Sequence, residues 1–180
     1  MSSGKKALCW FNGPSARQFW DIDPFPIEIG CNFIEQRRSV QHVCAFDQQC
    51  VDLIQAQQHV HYWTRPRCVN GHFRAPETTE PYHDSGTLAL RVAHGLADHV
   101  YVLGCDWGES DGSVFDDQYT WRAHQPGKQS NAKLKIIHTM AKQEHKTLTF
   151  VHERPKAYFG AEVKWIGPKR FLELVQDWTL

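Results

Sequence analysis

Residues 84–106 constrain the fold of this chain most. Asp84-Ser85-Gly86-Thr87 opens a helical periodicity in which Leu88, Val92 and Leu96 recur at i, i+4 and i+8, with Ala89, Ala93 and Ala97 beside them. A capped helix with a small-residue stripe can lie close against a sheet. His99–Gly104 follows at once as a buried strand and ends at Cys105-Asp106. The same alternation begins the chain: the apolar run Ala7–Phe11 stops at Asn12-Gly13-Pro14-Ser15. Gly13 permits a close backbone approach, Pro14 cannot extend a strand ladder, and Ser15 is a favoured helix N-cap.

The remaining elements fit this frame. The pattern predicts a short helix over Ser15–Trp20 and strands over Pro26–Gly30, His42–Asp47, His59–Thr64 and Thr147–Val151. It predicts helices over Gln48–Gln57, from Ser130 or Asn131 through Ala141, and from Gly167-Pro168 with Phe171, Leu174, Val175 and Trp178 on one face. Residues 65–84 hold Pro66, Pro76 and Pro81 and read as a lid or long loop. Residues 105–129 read as a polar, active-site loop. The expectation is one α/β domain over 1–180, Rossmann-like, with a mostly parallel sheet and helices on both faces.

Composition narrows the function classes. The 180 residues carry 20 Lys+Arg and 20 Asp+Glu, which argues against a bulk electrostatic grip on nucleic acid or an anionic membrane. No run reaches the roughly 18–20 apolar residues of a membrane span, and the amino terminus does not read as a signal peptide. The expected location is cytoplasmic. The six cysteines are scattered rather than framed for disulfides. Cys44, Cys50, Cys68 and His72 contain no C-x-x-C pair, so no metal site is expected. His42, His59, His61, His94, His99, His138 and His145 read as core-edge or surface residues, and His83 as a secondary base candidate.

Ligands of parallel sheets bind at the carboxyl ends of the strands. The polar residues placed there are Asn12–Ser15, Cys31-Asn32, Asp47, Ser85–Thr87 and Asp106. Neutral hydrogen-bonding groups beside two helix starts, near 15 and 86, suit a phosphate or a nucleotide. Neither a P-loop lysine motif nor G-x-G-x-x-G is present.

Four segments in order resemble the bacterial-type, CMP-sialic-acid-using sialyltransferases and the DUF115-related glycosyltransferase-like group. Asn12-Gly13-Pro14-Ser15 resembles the N-G-P-S loop. Gly30-Cys31-Asn32-Phe33 resembles R-C-N-x-F. Ser85–Ala89 with Gly95 and Val100–Trp107 resembles the S-G…G-x-D-F stretch, and Gly112–Asp116 the G-S-x-Y-A-F-D segment. The resemblance implies that Asn12, Gly13, Ser15 and Asn32 hold the cytidine and phosphate of a donor such as CMP-sialic acid. It implies that Ser85, Gly86 and Thr87 line the donor site, with Asp106 beside them. It implies that His124 is the general base, and that transfer to a glycan or small-molecule acceptor hydroxyl proceeds with inversion and without a metal. The family's phosphate-binding tyrosines are replaced by Gly108 and by Ser113 or Val114, with Tyr119 nearby as a substitute.

Two other readings stay open. One is pyrophosphoryl transfer from ATP, as in pterin-kinase relatives, with Mg²⁺ held by carboxylates among Asp106, Glu109, Asp111, Asp116 and Asp117. The other is a catalytically degenerate nucleotide-binding or interaction protein. A homo-oligomer fits any of the three.

Overall fold

The computed structural model describes residues 4–106, 131–153, 160 and 162–178. Its centre is one sheet of eight strands: β1 (Lys6–Trp10), β2 (Glu28–Cys31), β3 (His42–Cys44), β4 (His61–Trp63), β5 (Phe73–Arg74), β6 (His99–Leu103), β7 (Thr147–Val151) and β8 (Lys164–Ile166). The spatial order is β5-β4-β3-β2-β1-β6-β7-β8, and every pairing is parallel. The helices are α1 (Gln48–Leu53), α2 (Ser85–Leu96), α3 (Asn131–Ala141) and α4 (Pro168–Trp178). This is the expected α/β, Rossmann-like architecture.

Strand alternation divides the core into two layers. Ala7, Cys9, Ile29, Val100, Val102, Leu148 and Phe150 face α2 and α3. Leu8, Trp10, Val43, Tyr62, Leu103 and Val151 face the other way, against Phe19, Phe171 and Val175. Ser85 through His94 are all buried, which explains the small-residue stripe: α2 lies deep over β1, β2, β3 and β6. A Cβ on Gly86 would come within 2.8 Å of the Phe11 ring.

The crossovers differ from expectation. Ser15–Trp20 is a six-residue 3-10 turn, Pro14–Phe19, with Gly13 at its N-cap and no side-chain cap bond. The first expected N-cap is therefore not made by Ser15, whose hydroxyl is used elsewhere. Residues 65–84 are not wholly irregular: they contain a 3-10 turn, Pro66–Cys68, and the edge strand β5. Helix α1 ends at Leu53 because Ile54 is already extended, and Gln57 N–H donates to Tyr62 Oη at 2.8 Å.

One buried ion pair fixes the start of β2. Glu28 is fully buried and accepts from Arg38 Nε at 2.5 Å and Nη2 at 2.7 Å. It also accepts from the Trp10 indole at 2.8 Å and Phe25 N–H at 2.6 Å. Arg38 donates in turn to the carbonyls of Trp20, Ile22 and Asp23.

A second polar cluster sits toward the C-terminal end of α2. His94 is 4 % exposed, its Nδ1 lies 3.2 Å from Gln143 Oε1, and Arg91 beside it pairs with Glu80. Burial pushes the His94 pKa down to about 4, and the Lys146 and Arg91 charges push the same way, against opposing contributions from Gln143 and Glu80. Above pH 6.5 the ring is neutral in both folded and unfolded chains. Between pH 6.5 and about 4 the unfolded chain binds a proton that the folded chain refuses, so stability falls as pH falls. In urea denaturation across that range His94 should contribute a loss of about 3 kcal/mol, and His94→Gln should remove that share of the slope. A slope unchanged in that variant would contradict this account of the cluster.

Candidate functional site

Chain order reverses across the sheet between β1 and β6, because β2–β5 lie on one side of β1 and β7–β8 lie beyond β6. Such a switch point opens a crevice above the carboxyl ends of the two central strands. Two backbone bonds close its floor: Phe11 N–H donates to Leu103 O and Gly13 N–H to Gly104 O, both at 2.8 Å.

The polar residues converge on this crevice in two pairs. Asp106, 8 % exposed, accepts from Ser15 N–H at 2.9 Å and from the Ser15 hydroxyl, joining the turns after β1 and β6. The Ser85 hydroxyl donates to Asn32 Oδ1 at 2.8 Å and accepts from Phe46 N–H at 3.1 Å, joining the end of β2 to the start of α2. Asn32 adopts φ 51°, and its N–H donates to Cys44 O at 2.9 Å. A left-handed asparagine held by hydrogen bonds from two elements is the kind of local strain that collects at ligand sites.

The start of α2 is built by Asp84. Its Oδ1 accepts from Thr87 N–H at 2.7 Å, and Thr87 Oγ1 accepts from His83 and Asp84 N–H groups at 2.8 and 3.0 Å. The fully buried Thr87 hydroxyl therefore holds the helix start. The N–H groups of Ser85 and Gly86 have no acceptor within the helix.

Lys133, in the first turn of α3, supplies a cation that residue-by-residue reading did not single out. Its side chain is 17 % exposed, and Nζ lies 2.8 Å from Asp84 Oδ2 and 5.4 Å from the centroid of the Phe11 ring. Burial alone would raise the Asp84 pKa. The Lys133 ammonium, with the hydrogen bonds from Lys133 and Thr87, outweighs it and holds the carboxyl below its ordinary range. Burial likewise opposes the charge on Lys133, and Asp84 more than restores it. Both groups are charged at neutral pH.

Gly13 and Asn12 stand in the same turn. Gly13 has ordinary extended backbone angles, φ −69° and ψ 148°, so space rather than conformation requires glycine. A Cβ there would lie 2.6 Å from Asp106 Cγ and 2.7 Å from its Oδ2. His124, Tyr119, Gly108, Ser113 and Val114 lie outside the described residues, as do Glu109, Asp111, Asp116 and Asp117. His83 is exposed beside the α2 start.

Among the described residues, no group of three His, Cys, Asp or Glu side chains is placed to hold a metal ion. Cys44, Cys50 and Cys68 are buried while His72 is exposed. Burial, reinforced by mutual repulsion, raises the thiol pKa of Cys9 and Cys44 well above its usual value. Among the described residues, no helix is long and apolar enough to cross a membrane. A separate cavity of about 330 Å³, lined by Glu35, Arg37, Arg38 and His59 among others, precedes β3 and β4 rather than following them. Comparison with protein-family models, curated proteins and solved structures finds no match to this chain.

Proposed function

We propose that the crevice between β1 and β6 binds a nucleotide through its phosphate, and that the chain is a sialyltransferase-like glycosyltransferase using a nucleotide sugar such as CMP-sialic acid. The observation that carries this reading is the convergence on one switch point of the Ser15–Asp106 and Asn32–Ser85 pairs with the Lys133 ammonium. The open Ser85 and Gly86 N–H groups and the Lys133 ammonium, beside the Asp84 carboxylate it pairs with, are the groups there that a phosphate can use. The ordered resemblance of the Asn12–Ser15, Asn32, Ser85–Thr87 and Asp106 segments supports cytidine monophosphate as the nucleotide.

In this reading Ser85 and Gly86 offer backbone N–H groups to the phosphate, Asn32 and Asn12 meet the nucleoside, and Lys133 offsets charge as the phosphate leaves. An acceptor hydroxyl oxygen attacks the anomeric carbon, the bond from that carbon to the phosphate oxygen breaks, and CMP departs with the electron pair. His124 takes the hydroxyl proton, a role that suits imidazole near pH 7.

The test has two parts. CMP should raise the melting temperature more than UDP, GDP or ATP, since a ligand that binds only the folded state stabilises it by mass action. Incubation with CMP-sialic acid should release CMP, and His124→Ala should slow release by about 10²–10⁴-fold while keeping the CMP shift. Absence of a shift with every nucleotide would overturn the binding claim. A CMP shift without donor turnover would leave a binding protein, and Mg²⁺-dependent ATP turnover would replace the reading with pyrophosphoryl transfer.

A further inference from the structure

Beyond the edge of α2, the sheet face that it covers continues over β3, β4 and β5, where it carries His42, His61, Trp63 and Arg74. His42 and His61 are direct neighbours in register, as are Trp63 and Arg74. The imidazoles stack at 5.0 Å between centroids with 25° between planes, and the Arg74 guanidinium lies 4.3 Å from the centroid of the Trp63 ring.

The hydrogen bonds fix both tautomers. Trp63 Nε1 lies 3.1 Å from His42 Nδ1, and an indole nitrogen can only donate. Arg74 Nη2 lies 3.1 Å from His61 Nδ1, and a guanidinium can only donate. In these bonds each Nδ1 is therefore the acceptor, which leaves Nε2 as the N–H donor of each ring. Burial, first of all, also pushes the His42 pKa down to about 4. Neither Nε2 is an orphaned buried atom, unlike that of His94. Arg74 and His61 are exposed, and among the described residues no carboxylate pairs with Arg74. The groups the cluster has left to offer are donors: two Nε2–H groups and the remaining guanidinium N–H groups.

We infer that His42, His61 and Arg74, seated on Trp63, form a binding site for an oxyanion, the phosphate or carboxylate group of a ligand. A charged fork beside fixed N–H donors suits such a group, and the inference stands apart from the nucleotide reading of the β1/β6 crevice.

Long-range ¹H–¹⁵N spectra of the imidazoles at pH 7 test it, during titration with inorganic phosphate or with acetate at constant ionic strength. Both rings should start as Nε2–H tautomers, and their Nε2 signals should shift together and saturably. A larger affinity for phosphate assigns a phosphorylated ligand, and a larger affinity for acetate a carboxylate. Arg74→Gln should weaken saturation at least about tenfold, the loss expected for one charge-assisted hydrogen bond. His61→Gln should do the same, so the comparison survives if one variant fails to fold. Nδ1–H tautomers, shifts that never saturate with either anion, or equal affinity in the folded variants would overturn the inference.

Discussion

Replacing Arg38 with methionine should cost about 3–5 kcal/mol of stability, the loss typical of removing one partner from a buried ion pair. Arg38 is 8 % exposed and Glu28 is fully buried. Without the guanidinium, the Glu28 carboxylate keeps only the Trp10 indole and the Phe25 N–H as donors. The carbonyls of Trp20, Ile22 and Asp23 also lose their donor, so the segment entering β2 loosens with them. Thermal unfolding should fall by roughly 10 °C or more for a chain of this size. Glu28→Gln combined with Arg38→Met should cost less than Arg38→Met alone, because the double variant no longer strands a buried charge. A double variant worse than the single would show that the pair's charge is not what matters. The link to the site is direct: β2 carries Asn32 just past its carboxyl end.

The second large effect concerns Gly13→Ala. The added Cβ meets the Asp106 carboxylate and the Gly104 carbonyl oxygen, and neither is the free end of a flexible chain: Asp106 is tied to Ser15 and Gly104 to Gly13 itself. Relief requires Asp106 to withdraw, which releases Ser15 and opens the turn. A stability loss of about 1–3 kcal/mol is expected from such overpacking, with loss of any measurable CMP-induced melting shift. Gly95→Ala is the matched control. A Cβ there meets nothing within 4 Å, and in the last turn of α2 alanine should add about 0.4–1 kcal/mol. Equal behaviour of the two variants in calorimetry would contradict the close approach at Gly13.

Much of the fold was legible because local signals agreed with the tertiary outcome. Asp84 does cap α2, and Thr147–Val151 is a strand over the residues expected. β5 and β8 were not legible. They are two and three residues long, too short for any periodicity, and exist only through pairing with β4 and β7. α1 stopped early because Gln57 is drawn to Tyr62, a contact that no helical pattern announces.

The candidate site divides in the same way. Gly13, Asn32, Ser85 and Asp106 were visible as polar residues following strands. Which of them would bond was not, since Ser15 and Asp106 stand 91 residues apart and Ser85 and Asn32 53 apart. Ser15 looked like a helix cap from its neighbours, yet its hydroxyl crosses to another strand's turn. Lys133 was hidden for a related reason. On the periodicity of α3 it is one of two lysines, and only the packing of α3 beside α2 brings it to Asp84.

The most direct test of the central claim, a nucleotide phosphate held at the β1/β6 switch point, is the backbone amide spectrum of the ¹⁵N-labelled protein during titration with CMP. The N–H signals of Ser85 and Gly86 should shift first and saturably, with the cavity residues Arg37 and His59 unmoved. No saturable change at those two amides with CMP, UDP, GDP or ATP would contradict it.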